Sequence, residues 1–374
     1  MKETPIEKAL YKLADFQFKH YKAIIIATVL ITAVLAIGLT NLHMQADFTK
    51  EMPEDMPVFQ LAKEVSSKFG GQDMVVIFIQ LDYKSNIQNT PIDIRDPRVI
   101  ESISALQTQL SNESTVDRVQ SVASVFIYGI PTTLDGVKTF LLQVPMSSSF
   151  FNKAYSITPI YAYVTSGSGE EKVKELTDMI DRNIESVQKP AGVKYKVTGS
   201  APMIVVIMRL LGEDAFWTTL LAIVVVLIML IILTRSFVKS FLVLVPLTIS
   251  IEWLFGGIGL MNIPLSIPTV MIGAVTTGLG VEFGMFMVSR YEEERANKTQ
   301  QDALRIAVSG IGTSVFGSAT TTIAGFLALT ITPMPMIQHL GVTLALGIAL
   351  CWACAVFVNP CLIVWHENRS GKNG

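Results

Sequence analysis

Six long apolar runs constrain the fold of this chain more than any other feature of its sequence. They cover residues 23–40, 216–233, 241–260, 267–289, 312–331 and 336–365. A helix needs about 20 predominantly apolar residues to cross a hydrocarbon layer of ~30 Å. Charged residues make up only 16% of the chain, whereas soluble domains carry about 25%. The sequence therefore predicts a polytopic α-helical membrane protein with six transmembrane helices.

One long polar stretch, residues 41–214, separates the first apolar run from the second and contains no segment able to cross a bilayer. Strand and helix patterns alternate along this stretch. The predicted order is strand 74–81, helix 97–110, strand 116–125, strand 157–165, helix 170–187 and strand 193–197. Two successive β-α-β units predict an α+β domain of the ferredoxin-like type. Residues 126–156 are predicted to be an insertion or a hairpin.

The first 22 residues are predicted to form an interfacial helix on the membrane surface. Thr4 and Glu7 fit a capping box at its start. An apolar stripe at helical spacing would lie along the lipid headgroups. The stripe consists of Ile6, Leu10, Leu13 and Phe16.

Positive charge in short loops predicts the orientation of the spans. With one span at 23–40 and five within 215–366, the basic residues of the N-terminus, the loops and the tail 367–374 all fall on one side. That side should be the cytosol. The sequence thus predicts a multi-pass protein of the cell (cytoplasmic) membrane, with both termini cytosolic and the domain 41–214 extracytoplasmic.

Two carboxylates, Glu252 and Glu282, lie inside predicted spans. Hydrocarbon strongly disfavours an ionised carboxylate, so each needs a proton, a cation or a permanent hydrogen bond. Counted from the cytosolic ends, the two side chains differ in depth by about four residues, or ~6 Å. They could therefore share a pocket that binds H⁺ or Na⁺. The alternative is that each glutamate is permanently protonated and only ties two helices together.

Neighbouring hydroxyl groups could complete an ion site, because sodium prefers oxygen ligands. The candidates are Thr276, Thr277, Ser318 and Thr321. Hydroxyls in membrane helices are, however, often bonded back to their own helix, which is the alternative role for these four residues.

Gly278, Gly280 and Gly284 are expected to allow close helix packing, since small residues at this spacing let membrane helices approach each other. Cys351 and Cys354 form a CxxC that is expected to serve packing. The sequence shows no nucleophile–base arrangement and no phosphate-binding loop, so we expect no enzymatic activity and no cofactor. The net charge of −2 gives no reason to expect nucleic acid as a partner,.

Three stretches give the chain a resemblance to a known superfamily. They are EDMPVFQLAKEVSSKFGGQDMVVIFI (54–79), GLGVEFGMFMVSRYEEER (278–295), and ATTTIAGFLAL (319–329) with HLGVTLALGIALCWACAVFVNPCL (339–362). Together they resemble the RND (resistance–nodulation–division) superfamily, in particular its hydrophobe-exporter, MMPL-like branch. The second stretch is similar to the fourth-span motif of that branch, usually G-x-G-x-D-[YF] followed by R-Y-x-E-E.

The resemblance implies both an assembly and an activity. Members of the branch usually have two such halves and twelve spans, so a six-span chain is expected to pair as a homodimer. The family's intramembrane acidic residue falls on Glu282, where this chain has Glu in place of the usual Asp. Glu252 matches no family motif, and its suggested role rests on burial alone.

The expected function is secondary-active, proton- or sodium-coupled efflux of hydrophobic or amphiphilic molecules, including lipids, through a porter domain at 41–214. The alternative is a sterol-sensing-like or secretion-accessory membrane protein that binds lipid or a partner without ion-coupled transport.

Overall fold

The computed structural model describes residues 5–43, 53, 56–69, 73–83, 89–165, 170–263 and 265–370. The chain divides into two compact units. One contains Glu54–Arg209, and the other combines Met1–Pro53 with Leu210–Gly374.

The unit Glu54–Arg209 is built on a four-stranded antiparallel sheet. Its strands are β1 (Asp73–Leu81), β2 (Val116–Ser121), β3 (Ile157–Val164) and β4 (Val193–Gly199), in the spatial order β2-β3-β1-β4. Ile77 of β1 is paired with Ile160 of β3 on one side and with Val197 of β4 on the other. The pair β2–β3 contains a bulge between Val116 and Arg118.

Two helices connect the strands and supply the other half of this unit's core. They are α3 (Pro97–Ser111) between β1 and β2 and α5 (Glu170–Ser186) between β3 and β4. The carboxylate of Asp96 accepts a hydrogen bond from the Arg98 N–H at 3.0 Å, which caps the start of α3,. Apolar residues recur at helical spacing and are fully buried in α3: Val99, Ile100, Ile103, Leu106 and Leu110. The unit also contains α2 (Pro57–Phe69).

The segment predicted as an insertion or hairpin, residues 126–156, is helical. It contains α4 (Leu134–Gln143) and a 3₁₀ turn, Pro145–Phe150. A hairpin is therefore the wrong description of this segment. Thr133 begins α4 by accepting a hydrogen bond from the Gly136 N–H at 3.2 Å,.

The second unit is a bundle of long helices. Among the residues that the structure describes, six helices or helix pairs are long and apolar enough to span a membrane. They are α1 (Pro5–Gly38), α6 (Ser200–Thr234), α7 (Phe237–Leu260), α8 (Ile272–Arg295), α9 (Gln300–Leu327) and α10 (Pro335–Ala353) continued by α11 (Asn359–Arg369). The number of spans agrees with the number of apolar runs. Helices α6, α8 and α11 end on the same side of the bundle. We call this side the charged end, because it carries the Arg290–Arg305 segment.

Helix α1 is bent at His20, whose backbone leaves helical geometry. Before the bend, Leu10 and Leu13 pack against a core cluster of α8, α9 and α11, while Phe16 is exposed. The predicted stripe is thus divided between protein and surroundings, because Leu10 and Leu13 contact the bundle. Thr4 and the side chain of Ile6 lie outside the described residues.

Candidate ion-coupling site in the helix bundle

Glu282 lies on the outer face of α8. The exposed positions of this helix recur at helical spacing and include Val275, Leu279 and Phe286, with Glu282 half-buried among them. Its carboxylate has no hydrogen bond or ion pair with any residue that the structure describes. The carboxylate therefore sits half-exposed on the outside of the helix bundle.

The neighbouring face of α9 carries only small or hydroxyl side chains. Phe283, the residue after Glu282, belongs to the same buried cluster as Val315 and Ala319 of α9, so Glu282 lies beside the middle part of α9. Positions on the outer face of α9 are exposed and small: Gly310, Ser314, Gly317, Ser318, Thr321 and Gly325. A Cβ added at Gly317 or at Gly325 would meet nothing within 4 Å. Helices α8 and α9 pack against each other, and we call their exposed outer positions together the Glu282 face.

Glu252 occupies a different place. Its neighbour Trp253 donates a hydrogen bond to Thr32 of α1 at 2.8 Å, and Gly256, one turn further, lies against the backbone of Leu35. Glu252 is therefore on the side of α7 that meets α1. Both of its carboxylate oxygens are shielded and have no hydrogen-bond partner in the described parts of the chain.

The structure does not bring the two carboxylates together. Leu247 of α7 lies beside Gly280 of α8, and Val243 lies beside Gly284. This antiparallel register puts Glu252 about seven residues, or ~10 Å, further from the charged end than Glu282. The two side chains also leave their helices on different sides. Any site at Glu282 must be completed by something other than Glu252.

The four predicted hydroxyl ligands fall into two groups. Thr276 and Thr277 are fully buried on the inner side of α8. Thr277 donates to the Gly273 carbonyl at 2.6 Å, and the Thr276 hydroxyl has no partner within the described ranges. Ser318 and Thr321 are exposed on the Glu282 face, where Thr321 donates to the Ser318 carbonyl at 2.8 Å. Only this second pair shares a surface with Glu282.

The three predicted packing glycines do not share one role. A Cβ at Gly280 would stand 2.5 Å from the Cys351 sulfur, and one at Gly284 would stand 3.2 Å from Val243. These two glycines set the close approach of α8 to α7 and to the last span. Gly278 faces open space, since a Cβ there would meet nothing within 4 Å. It belongs to the Glu282 face instead.

Sequence reasoning missed a polar cluster in the last span. Pro360 cannot donate a hydrogen bond to the carbonyl of Val356 four residues earlier, and the turn Cys354–Val358 is a π-helix. Gln17 of α1 is fully buried and donates to the Val356 carbonyl at 2.8 Å. The buried Asn359 reaches the Gly284 carbonyl at 3.4 Å. The sequence feature that indicates this polar cluster is the dipeptide Asn359-Pro360, which lies inside an apolar run.

The charged end is held by ion pairs between helices. Glu367 of α11 accepts hydrogen bonds from Tyr291 and, at 2.6 Å, from Arg295, both on α8. Arg305 of α9 contacts Asp15 of α1 at 2.5 Å. Arg295 and Arg305 therefore bind helices together, whereas Arg290 pairs with Glu293 and Glu294 within its own helix.

Comparisons with known proteins give a consistent result. A model of the MMPL family matches residues 101–370 of the chain. A protein of Methanocaldococcus jannaschii named as membrane protein MJ1562 is 34% identical over 371 residues, which cover 97% of this chain and 95% of that protein.

Two mycobacterial relatives carry names that state a function. The siderophore exporter MmpL5 of Mycobacterium tuberculosis is 25% identical over 210 residues, which cover 54% of this chain but only 22% of that protein. The sulfolipid-1 exporter MmpL8 of the same species is 25% identical over 114 residues, covering 30% of this chain and 10% of that protein. The matched regions are thus small parts of these two exporters.

Proposed function

The chain belongs to the MMPL family, and from that premise we propose that it is a secondary-active exporter of hydrophobic or amphiphilic molecules, including lipids. Six candidate membrane spans and relatives named as exporters support this proposal. The proposed substrate class is taken from the names of two relatives, a siderophore exporter and a sulfolipid-1 exporter. The protein would act in the cell membrane with both termini in the cytosol.

The sheet unit is the proposed porter domain, outside the membrane. Its two β-α-β units with strand order β2-β3-β1-β4 correspond to a ferredoxin-like arrangement, with α4 as an addition. Strand β4 ends at Gly199 and α6 begins at Ser200, so the chain passes from sheet to membrane helix without a linker.

The observation that carries the proposal is the position of Glu282. A carboxylate on the membrane-facing surface of a helix is costly when ionised and unpaired. Uptake of H⁺ or Na⁺ would neutralise it, and release would restore the charge. Transfer of one charge across a potential of 100 mV supplies ~2.3 kcal/mol, which can bias a two-state equilibrium by roughly fifty-fold.

The same surface supports a homodimer. The Glu282 face combines the carboxylate with a stripe of small residues on α9 that stay exposed among the described residues of the single chain. Small residues allow membrane helices to approach closely, and a second copy would remove the carboxylate from lipid. We propose that two chains pair through this face, so that ion binding at Glu282 changes their packing.

Replacement of Glu282 by Gln tests the coupling. In liposomes with an imposed pH gradient, we expect the unsubstituted protein to move an NBD-labelled phospholipid or a fluorescent fatty acid, as followed by quencher accessibility. The Glu282→Gln variant should lose this movement by a factor of about 100 or more, as when an essential proton carrier is removed. Glu293→Gln, at the exposed charged end, is the matched control and should retain it.

The competing function gives a different result. A protein that only binds lipid would show no gradient-dependent movement of either probe, and Glu282→Gln would leave its lipid binding unchanged. That outcome would exclude ion-coupled export. Varying sodium at constant pH in the same assay distinguishes the two coupling ions.

A further inference from the structure

A groove lies on the outside of the bundle at the charged end, between the start of α7 and the end of α11. Its cavity volume is about 270 Å³. Helix α7 lines it with residues one turn apart, and α11 lines it with residues at i, i+3 and i+4. The lining includes Phe237, Phe241 and Val245 on α7 and Leu362, Trp365 and His366 on α11. The walls are almost entirely apolar, and the groove is open to the surroundings of the bundle.

The groove runs along the membrane normal. Helix α7 leaves the charged end at Phe237 and passes Val245 about 12 Å deeper, while α11 returns from Leu362 to its end at Arg369,. Exposed aromatic side chains stand at the shallow end: Phe237 is 64% exposed and Trp365 is 42% exposed. Trp is enriched where membrane helices meet the lipid headgroups. We therefore expect the groove to begin at the interface and to extend into the hydrocarbon.

Positive charge collects at the shallow end. Arg369 lies 5.5 Å above the ring of Trp365, and Arg235 is exposed in the turn before α7. Neither arginine has a carboxylate partner among the residues that the structure describes.

Two acidic side chains at the charged end are already paired with other cations. Glu292 pairs with Lys239 at 2.6 Å, and Glu367 pairs with Arg295 at 2.6 Å. Two free guanidinium groups therefore remain beside the mouth of an apolar groove.

We propose that this groove is a binding site for a membrane lipid with an anionic headgroup, in the leaflet at the charged end. One acyl chain lies between α7 and α11, and the phosphate sits between Arg235 and Arg369. Basic residues beside a cleft between membrane helices attract anionic headgroups, and guanidinium groups suit phosphate geometry. The site is on the α7–α11 side of the bundle and does not include Glu282. It therefore does not depend on the proposed transport function.

Native mass spectrometry of the whole protein in detergent, with phosphatidylglycerol or phosphatidylcholine of the same chains, tests the site. We expect retained phosphatidylglycerol to exceed phosphatidylcholine, with each arginine contributing about fivefold. Arg369→Gln and Arg235→Gln should each reduce the preference by that factor. Lys12→Gln, which removes an exposed cation elsewhere at the charged end, should leave it unchanged. Equal retention of the two lipids, or no effect of either arginine substitution, would overturn the proposal.

A second measurement separates the acyl chain from the headgroup. Val245→Trp should fill the deep end of the groove and abolish the preference for phosphatidylglycerol, whereas Val225→Trp on the exposed side of α6 should not.

Phosphatidylglycerol with brominated chains should quench the fluorescence of Trp365 more than brominated phosphatidylcholine does. This excess should vanish in Trp365→Phe. Equal quenching by the two lipids in the unsubstituted protein would mean that the groove holds ordinary bilayer lipid only.

Discussion

Pro360 shows how one residue in a membrane span determines contacts with another. It removes one intrahelical hydrogen bond, and a carbonyl left unsatisfied in hydrocarbon is costly. The turn Cys354–Val358 widens to a π-helix, and the freed Val356 carbonyl accepts a hydrogen bond from Gln17. A buried glutamine near the start of the chain is thereby explained by a proline near its end.

This explanation predicts the effect of replacing Gln17 by Met, which has a similar size but no donor. The Val356 carbonyl would stay buried without a partner, and we expect a loss of about 1–3 kcal/mol in the free energy of unfolding. Equilibrium unfolding in mixed micelles measures it.

A double-mutant cycle supplies the control for Gln17. Pro360→Ala restores an N–H that can bond the Val356 carbonyl within the helix. The cost of Gln17→Met should therefore be smaller in the Pro360→Ala background than in the unsubstituted protein. Equal costs in both backgrounds would show that the hydrogen bond to Val356 is not the cause.

At the scale of elements, α1 and α7 pack with their backbones in direct contact. Gly256 faces the Leu35 backbone, and Gly259 faces Gly38 three residues further along both helices. The two helices therefore run parallel along a seam that admits no side chain. Trp253 and Thr32 fix the seam by a hydrogen bond at 2.8 Å.

Adjacent glycines provide a matched test of this seam. A Cβ at Gly256 would overlap the Leu35 backbone, whereas a Cβ at Gly257 would meet nothing within 4 Å. Gly256→Ala should therefore lower the free energy of unfolding by about 1–3 kcal/mol, because backbone atoms must move apart. Gly257→Ala should change it by no more than about 0.5 kcal/mol. Thermal unfolding in detergent, followed by Trp fluorescence, compares them, and similar losses in both variants would contradict the proposed seam.

The types of most elements could be predicted from the sequence, because apolar length and hydrophobic periodicity determine them locally. The six spans and the β-α-β order have this origin. The ends of the helices were less predictable than their types. Helix α8 continues beyond the apolar run 267–289 to Arg295, and Thr299 begins α9 by accepting a hydrogen bond from the Asp302 N–H at 3.3 Å. The helix is interrupted there over residues 296–299, and none of these four residues is a glycine or proline that would mark the position.

The faces of the helices could not be predicted, and the candidate site depends on them. Glu252 and Glu282 both occur in apolar runs, yet one faces α1 and the other faces outward. Periodicity is weak in helices that are apolar on every side, so the sequence alone does not tell which side of such a helix meets protein. For the same reason, the sequence alone does not tell that Gln17 of α1 donates to the Val356 carbonyl of the last span.

At the scale of the whole molecule, the unpartnered Glu282 face is the feature that a single chain does not explain. Two copies with the same orientation in a membrane can be related by a two-fold axis along the membrane normal. In such a pair, a residue near the axis contacts its own counterpart. Leu279 and Phe286 lie on the Glu282 face, one turn on either side of Glu282.

We therefore expect Leu279→Cys to form a disulfide-linked dimer when membranes are oxidised before solubilisation. The three native cysteines are buried, so the unsubstituted protein should stay monomeric on a non-reducing gel. Ile26→Cys, on the exposed side of α1, is the matched control and should not cross-link. A spontaneous disulfide needs Cβ atoms about 4 Å apart. Positions slightly off the axis are therefore tested with Phe286→Cys and a short bismaleimide as cross-linker. If none of these cysteines on the Glu282 face cross-links, or if Ile26→Cys cross-links equally well, pairing through this face is wrong, and Glu282 must be neutralised within one chain.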